Sequence, residues 1–207
     1  MLKNQDVHIL LKTSQDRVKS LTIPSAGRAL LLVAHPDDCI IFGYPFLYNH
    51  TRFEWDIMYL TYFDKDDRAR EVRSFWRKRN IDTYFLGNRD DYSYVERGEL
   101  GFDGQEAREK IQYLTQGYKL ILTHNEDGDY GHLHHKFVHE CVKDIDIPQV
   151  YFASTFNTNY ECTSPDYGLE DLPLHREVIE GFQDRLTGRY IVTEPARKYT
   201  DGSKRSN

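Results

Sequence analysis

Residues 28–34, Arg-Ala-Leu-Leu-Leu-Val-Ala, form an apolar run that is unbroken after its first residue. The chain then passes at once into His35-Pro36-Asp37-Asp38 and out into Cys39-Ile40-Ile41-Phe42-Gly43. A strand with one wet face alternates apolar and polar residues, so an uninterrupted run is what a strand buried on both faces requires. This constrains the chain to a sheet covered by helices on both sides. Two carboxylates and an imidazole at the end of such a strand are costly unless something pairs them, and a bound cation is one such partner.

The remainder of the chain alternates accordingly. Strands are expected at 55–63, 82–87, 118–124 and 149–154, with an edge strand at 188–195. Between them, Ile40, Ile41, Tyr44, Leu47 and Tyr48 fall at helical spacing, although Gly43 and Pro45 weaken that helix. Val72, Phe75, Trp76 and Arg79 line one side of a helix over 67–80, with Asp64 or Asp66 as its cap. Further helices are expected at 105–117, 131–145 and 174–186. The polar, glycine-containing stretch 88–104 is long for a connection in a compact domain and points to a functional loop. Strand–helix alternation predicts a Rossmann-like three-layer α/β sandwich with a mostly parallel sheet of about five strands. With no internal repeat and no linker, residues 1–207 read as a single domain ending in a flexible tail at 196–207.

A net charge of -6 argues against nucleic acid or an anionic membrane as the general partner. No apolar run approaches the ~20 residues of a membrane span, and the N-terminus lacks the apolar core of a signal peptide. The three cysteines, Cys39, Cys141 and Cys162, are widely spaced and odd in number. That usage suits a reducing compartment, and the expected location is cytoplasmic.

In a parallel sheet the ligand site lies beyond the carboxyl ends of the strands. Two chemically rich segments fall there: His35 to Asp38 after the first of these strands, and His124 to His135 after the fourth. His35 and Asp38, three apart across a turn stiffened by Pro36, can aim at one point, while Asp37 between them points differently. Zinc takes nitrogen and oxygen ligands near 2.0–2.2 Å and keeps a position open for water in catalytic sites. His132 and His135 share a helical face, so one or both complete the ligand set, with His134 turned away from them, either backing a ligand or exposed. A zincin protease would carry Glu after the first His of His-x-x-x-His, but His135 and His139 enclose Lys136. No Gly-x-Gly-x-x-Gly follows the first strand and no Gly-x-Ser-x-Gly occurs, which disfavours dinucleotide-binding and serine-hydrolase readings. A phosphoester hydrolase is weakened by the single metal site and the lack of clustered Lys and Arg.

Ala34-His35-Pro36-Asp37-Asp38 and Gly131-His132-Leu133-His134-His135, in this order and spacing, resemble the PIG-L/LmbE-like family of zinc-dependent N-acetylglucosaminyl deacetylases. Arg68-Ala69-Arg70-Glu71 and Leu86-Gly87-Asn88-Arg89-Asp90 are similar to weaker family features, so the resemblance covers roughly 28–143. It implies one zinc per chain held by His35, Asp38 and His135, with Asp37 as general base. His132 then serves as general acid or, protonated, as oxyanion stabiliser, and Arg68 and Asp90 contact sugar hydroxyls. Such a site hydrolyses the acetamide of an N-acetylated sugar or glycoconjugate: zinc lowers the pKa of its water to ~7, and Asp37 takes the proton. A non-catalytic zinc- or sugar-binding relative is the alternative, although a pure binding site needs no unbound carboxylate such as Asp37. Two positions depart from the family pattern. Cys39 stands where Glu is common and reads as a small buried residue; His134 stands where Asp is frequent. Loops 87–103 and 153–173 are expected to wall the pocket, with Tyr92, Tyr94, Phe102, Tyr160 and Tyr167 available to stack on sugar rings.

Overall fold

A computed structural model describes residues 7–11, 19–153, 157–163, 168–182 and 188–193, with side chains described from residue 24 onward. The apolar run forms β3 (Gly27–Val33), with Ala29 to Val33 each 0% exposed. It follows a separate antiparallel ladder of β1 (Val7–Leu11) and β2 (Lys19–Ile23). Alternate β3 side chains enter two different cores. Ala29, Leu31 and Val33 pack with Ile57, Tyr59, Phe75 and Trp76; Leu30 and Leu32 pack with Met58, Leu60, Ile111 and Val138. Both faces of the strand are therefore dry, as its lack of alternation requires.

The other strands are β4 (Phe53–Thr61), β5 (Asp82–Asn88), β6 (Leu120–Thr123), β7 (Gln149–Phe152), β8 (Tyr160–Glu161) and β9 (Arg189–Thr193). Together with β3 they make a seven-stranded sheet in the order β5-β4-β3-β6-β7-β9-β8. Pairings among β3 to β7 are parallel, while β9 runs antiparallel to both β7 and β8. The expectation of about five strands is thus too low. Two-residue β8 is too short to leave a pattern in the sequence, and because it covers β9, that strand is not an edge. The direction of winding reverses between β3 and β6, whose carboxyl ends flank the crevice where ligands bind in open α/β sheets.

After β3 the chain enters a π-helical turn, Cys39–Gly43, that runs directly into α1 (Tyr44–Asn49). Gly43 packs closely against the sheet: a Cβ there would lie 2.5 Å from Leu31 Cδ2. Gly43→Ala is expected to cost about 1–3 kcal/mol through overpacking, read as a lower urea midpoint at unchanged slope. An unchanged midpoint would show that the helix can retreat from β3 freely.

The second helix, α2 (Asp67–Arg77), buries Val72, Phe75 and Trp76. Arg79, just past its end, lays its guanidinium 3.6 Å from the Phe75 ring centroid. The Asp66 carboxylate at the helix start accepts the Phe63 N–H at 2.7 Å instead of capping the helix. The long loop carries α3 (Tyr92–Val95), and α4 (Gly104–Leu114) is capped by Asp103, which accepts the Gln105 and Glu106 N–H groups. One distorted turn, α5 (Gly128–Gly131), precedes α6 (Leu133–Val142). The late helix is α7 (Arg176–Gly181); residues 183–187 and the expected tail lie outside the described residues. Among the described residues no helix is long and apolar enough to cross a membrane.

Candidate metal and catalytic site

The site begins where β3 ends. The Ala34 carbonyl accepts both the Thr61 N–H (3.1 Å) and its hydroxyl (2.7 Å), tying the strand end to β4. Its N–H donates to Nε2 of His124, the residue that follows β6, at 3.0 Å. The His35 N–H donates to Asp38 Oδ2 at 2.8 Å, closing the His-Pro-Asp-Asp turn and folding the carboxylate back over the strand end. His35 and Asp38 are buried, at 7% and 1% exposure.

Asp129 organises the opposite side. Its Oδ2 accepts Nδ1–H of His135 at 2.8 Å and also pairs with His124 Nδ1. The backbone there adopts φ 64°, ψ -56°, a conformation that costs a non-glycine residue about 1–3 kcal/mol. Asn125 holds it: the Asn125 side-chain oxygen accepts the Asp129 N–H at 3.0 Å, and its amide is anchored on the Phe152 carbonyl. Burial disfavours the Asp129 anion, but His124 and His135 outweigh burial and keep its pKa below the usual carboxylate value.

These contacts fix the tautomers. With Nδ1–H committed to Asp129, His135 turns the Nε2 lone pair inward. His134 donates Nε2–H to the Leu100 carbonyl (3.0 Å), so its Nδ1 accepts from His35 Nε2 (3.1 Å), and His35 in turn presents the Nδ1 lone pair. His35 Nδ1, His135 Nε2 and Asp38 Oδ2 then face one another at 3.2, 3.3 and 3.3 Å. Three electron-rich atoms at that spacing need a shared electrophile. A tetrahedral ion with 2.0–2.2 Å bonds separates its ligands by about 3.3–3.6 Å, so this donor set fits zinc in both spacing and chemistry. Burial opposes charge on His135, yet Asp38 and Asp129 overcome it and lift its pKa to about 10. Asp38, despite the raising effect of burial, is held well below the carboxylate range by His135, His35 and His124. His124 Nε2 also lies 3.5 Å from Asp38 Oδ2, but its lone pair is engaged by Ala34.

Around this triangle stand the other expected residues. His132 is not on the face of α6 but at its N-cap, in extended conformation, where Nδ1 accepts the His134 N–H at 3.2 Å. Its ring meets His35 edge-on at 4.6 Å. Burial and the neighbouring His35, His135 and His134 push its pKa down to about 3, so at neutral pH it is a neutral ring whose proton resides on Nε2. His134, expected either to back one of the ligands or to lie exposed, is 0% exposed and bonded to His35. Asp90 reaches the same ring, with Oδ1 3.6 Å from His35 Nε2 and 3.7 Å from His134 Nδ1. Asp37 stays outside the triangle, and its Oδ1 receives Arg68 NH2 at 2.6 Å.

Cys39 is a buried thiol that donates to the Pro36 carbonyl and accepts from Tyr59 and Trp76, and burial raises its pKa to about 12. Of the aromatic residues named from sequence, Phe102 packs on His134 at 5.4 Å. Tyr92 and Tyr94 are exposed on the loop, while Tyr160 packs on Phe46 and His50. Tyr167 lies outside the described residues. The rings that stand against the cluster itself are Tyr130, 5.1 Å from His135, and Phe42, 6.3 Å from it.

Sequence reasoning missed His124 and Asp129. His124 had a signal, standing directly after a buried strand on the same side as the other histidines. Asp129 had only its place between Gly128 and Gly131. Asp129→Asn, which tolerates the same backbone but removes the charge, is expected to weaken zinc affinity about 10–100-fold in a chelator competition. Wild-type affinity would show that Asp129 merely packs.

Fold and site together define an α/β protein with a His- and Asp-lined crevice at the switch point of a mostly parallel sheet. The family model for PIG-L, described as GlcNAc-PI de-N-acetylase, matches residues 30–145, more than half of the chain, and the chain belongs to that family. A curated relative is the uncharacterized protein L374 of Acanthamoeba polyphaga mimivirus, 26% identical over 139 residues. The matched stretch is 59% of each chain, so this chain spans under two thirds of that relative's length. Among solved structures, the deacetylase of the teicoplanin biosynthesis pathway aligns with a TM-score of 0.50 at 12% identity, over 77% of this chain and 84% of that one. At that identity the likeness is one of fold.

Proposed function

We propose that this chain is a zinc-dependent N-deacetylase that hydrolyses the acetamide of an amino sugar or a related small glycoconjugate. The observation that carries the reading is the triangle of His35 Nδ1, Asp38 Oδ2 and His135 Nε2, with the Asp37 carboxylate held beside it but outside it. His35, Asp38 and His135 would hold one zinc ion. Bound there, zinc supplies Lewis-acid polarisation of the amide carbonyl and a water whose pKa falls to about 7.

The chain's own groups do the rest. Arg68 fixes Asp37 Oδ1, leaving Oδ2 to accept the proton that water loses as its oxygen bonds to the amide carbon. Neutral His132, with Nδ1 engaged at the helix N-cap, offers Nε2–H to the carbonyl oxygen as that oxygen gains charge. When the carbon–nitrogen bond breaks, the proton on Asp37 passes to the departing amine. Asp90 and the remaining Arg68 donors face sugar hydroxyls, and the partly exposed Tyr130 ring offers an apolar wall. The three free cysteines and the net charge of -6 fit a small-molecule enzyme of a reducing compartment, with the cytoplasm as the proposed location.

The test is metal analysis of the purified chain coupled to amine release from a panel of N-acetylated sugars. Stoichiometric zinc with turnover of an acetamide is expected. Stoichiometric metal with no turnover would favour a binding protein, and no metal in excess zinc would overturn both readings.

A further inference from the structure

Arg68 is the only group bonded to Asp37 Oδ1 among the described contacts, and a long, flexible side chain aims a carboxylate well only if it is itself held. Three of its donors are engaged in different directions: NH2 on Asp37 at 2.6 Å, NH1 on the Tyr62 hydroxyl at 2.7 Å, and Nε on His175 Nε2 at 3.2 Å. His175 is 0% exposed and precedes α7, some thirty positions beyond the end of the family match at residue 145. Its Nε2 must accept, because a guanidinium only donates, so its proton lies on Nδ1, where it meets Glu71 Oε2. Glu71 Oε1 accepts the Leu174 N–H at 2.8 Å, and Lys78 pairs with Asp171 at 2.6 Å, so the segment around His175 is docked along α2. Burial and the Arg68 charge keep the His175 pKa below its ordinary value against the pull of Glu71, in agreement with a neutral, accepting ring.

We infer that His175, locked by Glu71, is a positioning residue that fixes the Arg68 guanidinium and through it the aim of Asp37. This rests on the deacetylase reading. It also gives the stretch beyond the family match a role in the reaction: Glu71 selects the tautomer, the tautomer supplies the acceptor, and the acceptor sets the plane of the guanidinium. The fork geometry of arginine then leaves NH2 one direction, towards Asp37.

Three variants separate this role from packing. His175→Phe fills the space without an acceptor. His175→Gln restores an acceptor towards Arg68. Glu71→Gln keeps the ring but leaves one oxygen for two donors, the Leu174 N–H and the His175 Nδ1–H, so the lock on the tautomer is lost. His175→Phe and Glu71→Gln are each expected to lower kcat about tenfold to a hundredfold with bound zinc unchanged, while His175→Gln recovers to within a few-fold of wild type. Equal losses in His175→Phe and His175→Gln, or losses that follow zinc content, would overturn the inference. Crystal structures of the same proteins give a readout independent of turnover. The Arg68–Asp37 contact is expected in wild type and His175→Gln, and broken in the other two. Should that pattern hold while wild type cleaves no acetamide, the deacetylase reading fails and the placement of Arg68 stands. Should Arg68 stay on Asp37 in every variant, the positioning role fails whatever the activity.

Discussion

Asp37→Asn is expected to lower kcat by about 10²–10⁴-fold while leaving bound zinc at the wild-type stoichiometry. Asparagine keeps the shape of the side chain and an oxygen for the Arg68 N–H, so the clamp at 2.6 Å can persist. What it cannot do is take a proton from water. Because Asp37 lies outside the donor triangle, the loss belongs to kcat and not to metal content. Amine release and metal analysis on one preparation check both halves. Activity within tenfold of wild type would move the base elsewhere, and loss of zinc would place Asp37 among the ligands.

Asp38→Ala is expected to do the reverse, removing bound zinc and with it all turnover. The Asp38 carboxylate lies 3.3 Å from both His35 Nδ1 and His135 Nε2, so its removal deletes both a donor and the only negative charge inside the triangle. The loss in affinity should exceed the 10–100-fold of an outer partner such as Asp129. A pH dependence accompanies it. Asp38 and Asp129 hold a proton on His135 up to about pH 10, and zinc must displace that proton. In wild type, zinc affinity is therefore expected to rise with pH across the neutral range, by about tenfold per unit where the proton is fully bound, with about one proton released on binding. Asp38→Ala should flatten that slope along with the affinity. Calorimetry in buffers of different ionisation enthalpy reads the proton count. Retention of zinc by Asp38→Ala would show that His124 or His132 supplies the missing ligand.

The sequence discloses the parts of this molecule that local chemistry dictates. β3 is legible because no polar residue interrupts it after Arg28, and both cores it enters were implied by that fact. The edge of the sheet is not, since β8 has two residues and exists only through its pairing with β9. Within the site, His35, Asp37 and Asp38 are adjacent to a strand end and readable. His132 reads as a helical residue but is the N-cap, a distinction set by one extended backbone angle. His134 reads as turned away from His132 and His135, but helical spacing does not reveal the Leu100 carbonyl that holds it on the neighbouring loop. Asp129 depends on a left-handed backbone held by Asn125, and His175 on a segment folding back along α2. Both are consequences of tertiary contact that no spacing rule encodes.

His35 and His135 stand 100 positions apart in the chain and 3.2 Å apart in space. An ion gripped by both would close a loop of nearly half the polypeptide, the topological office that a disulfide fills in secreted domains and that the free cysteines here leave open. In the chain-entropy description, a cross-link around about 100 residues removes up to about 4.7 kcal/mol of freedom from the unfolded ensemble. An ion bound there would thus also clasp the two halves of the winding, and under the deacetylase reading its removal is expected to loosen the molecule as well as end turnover.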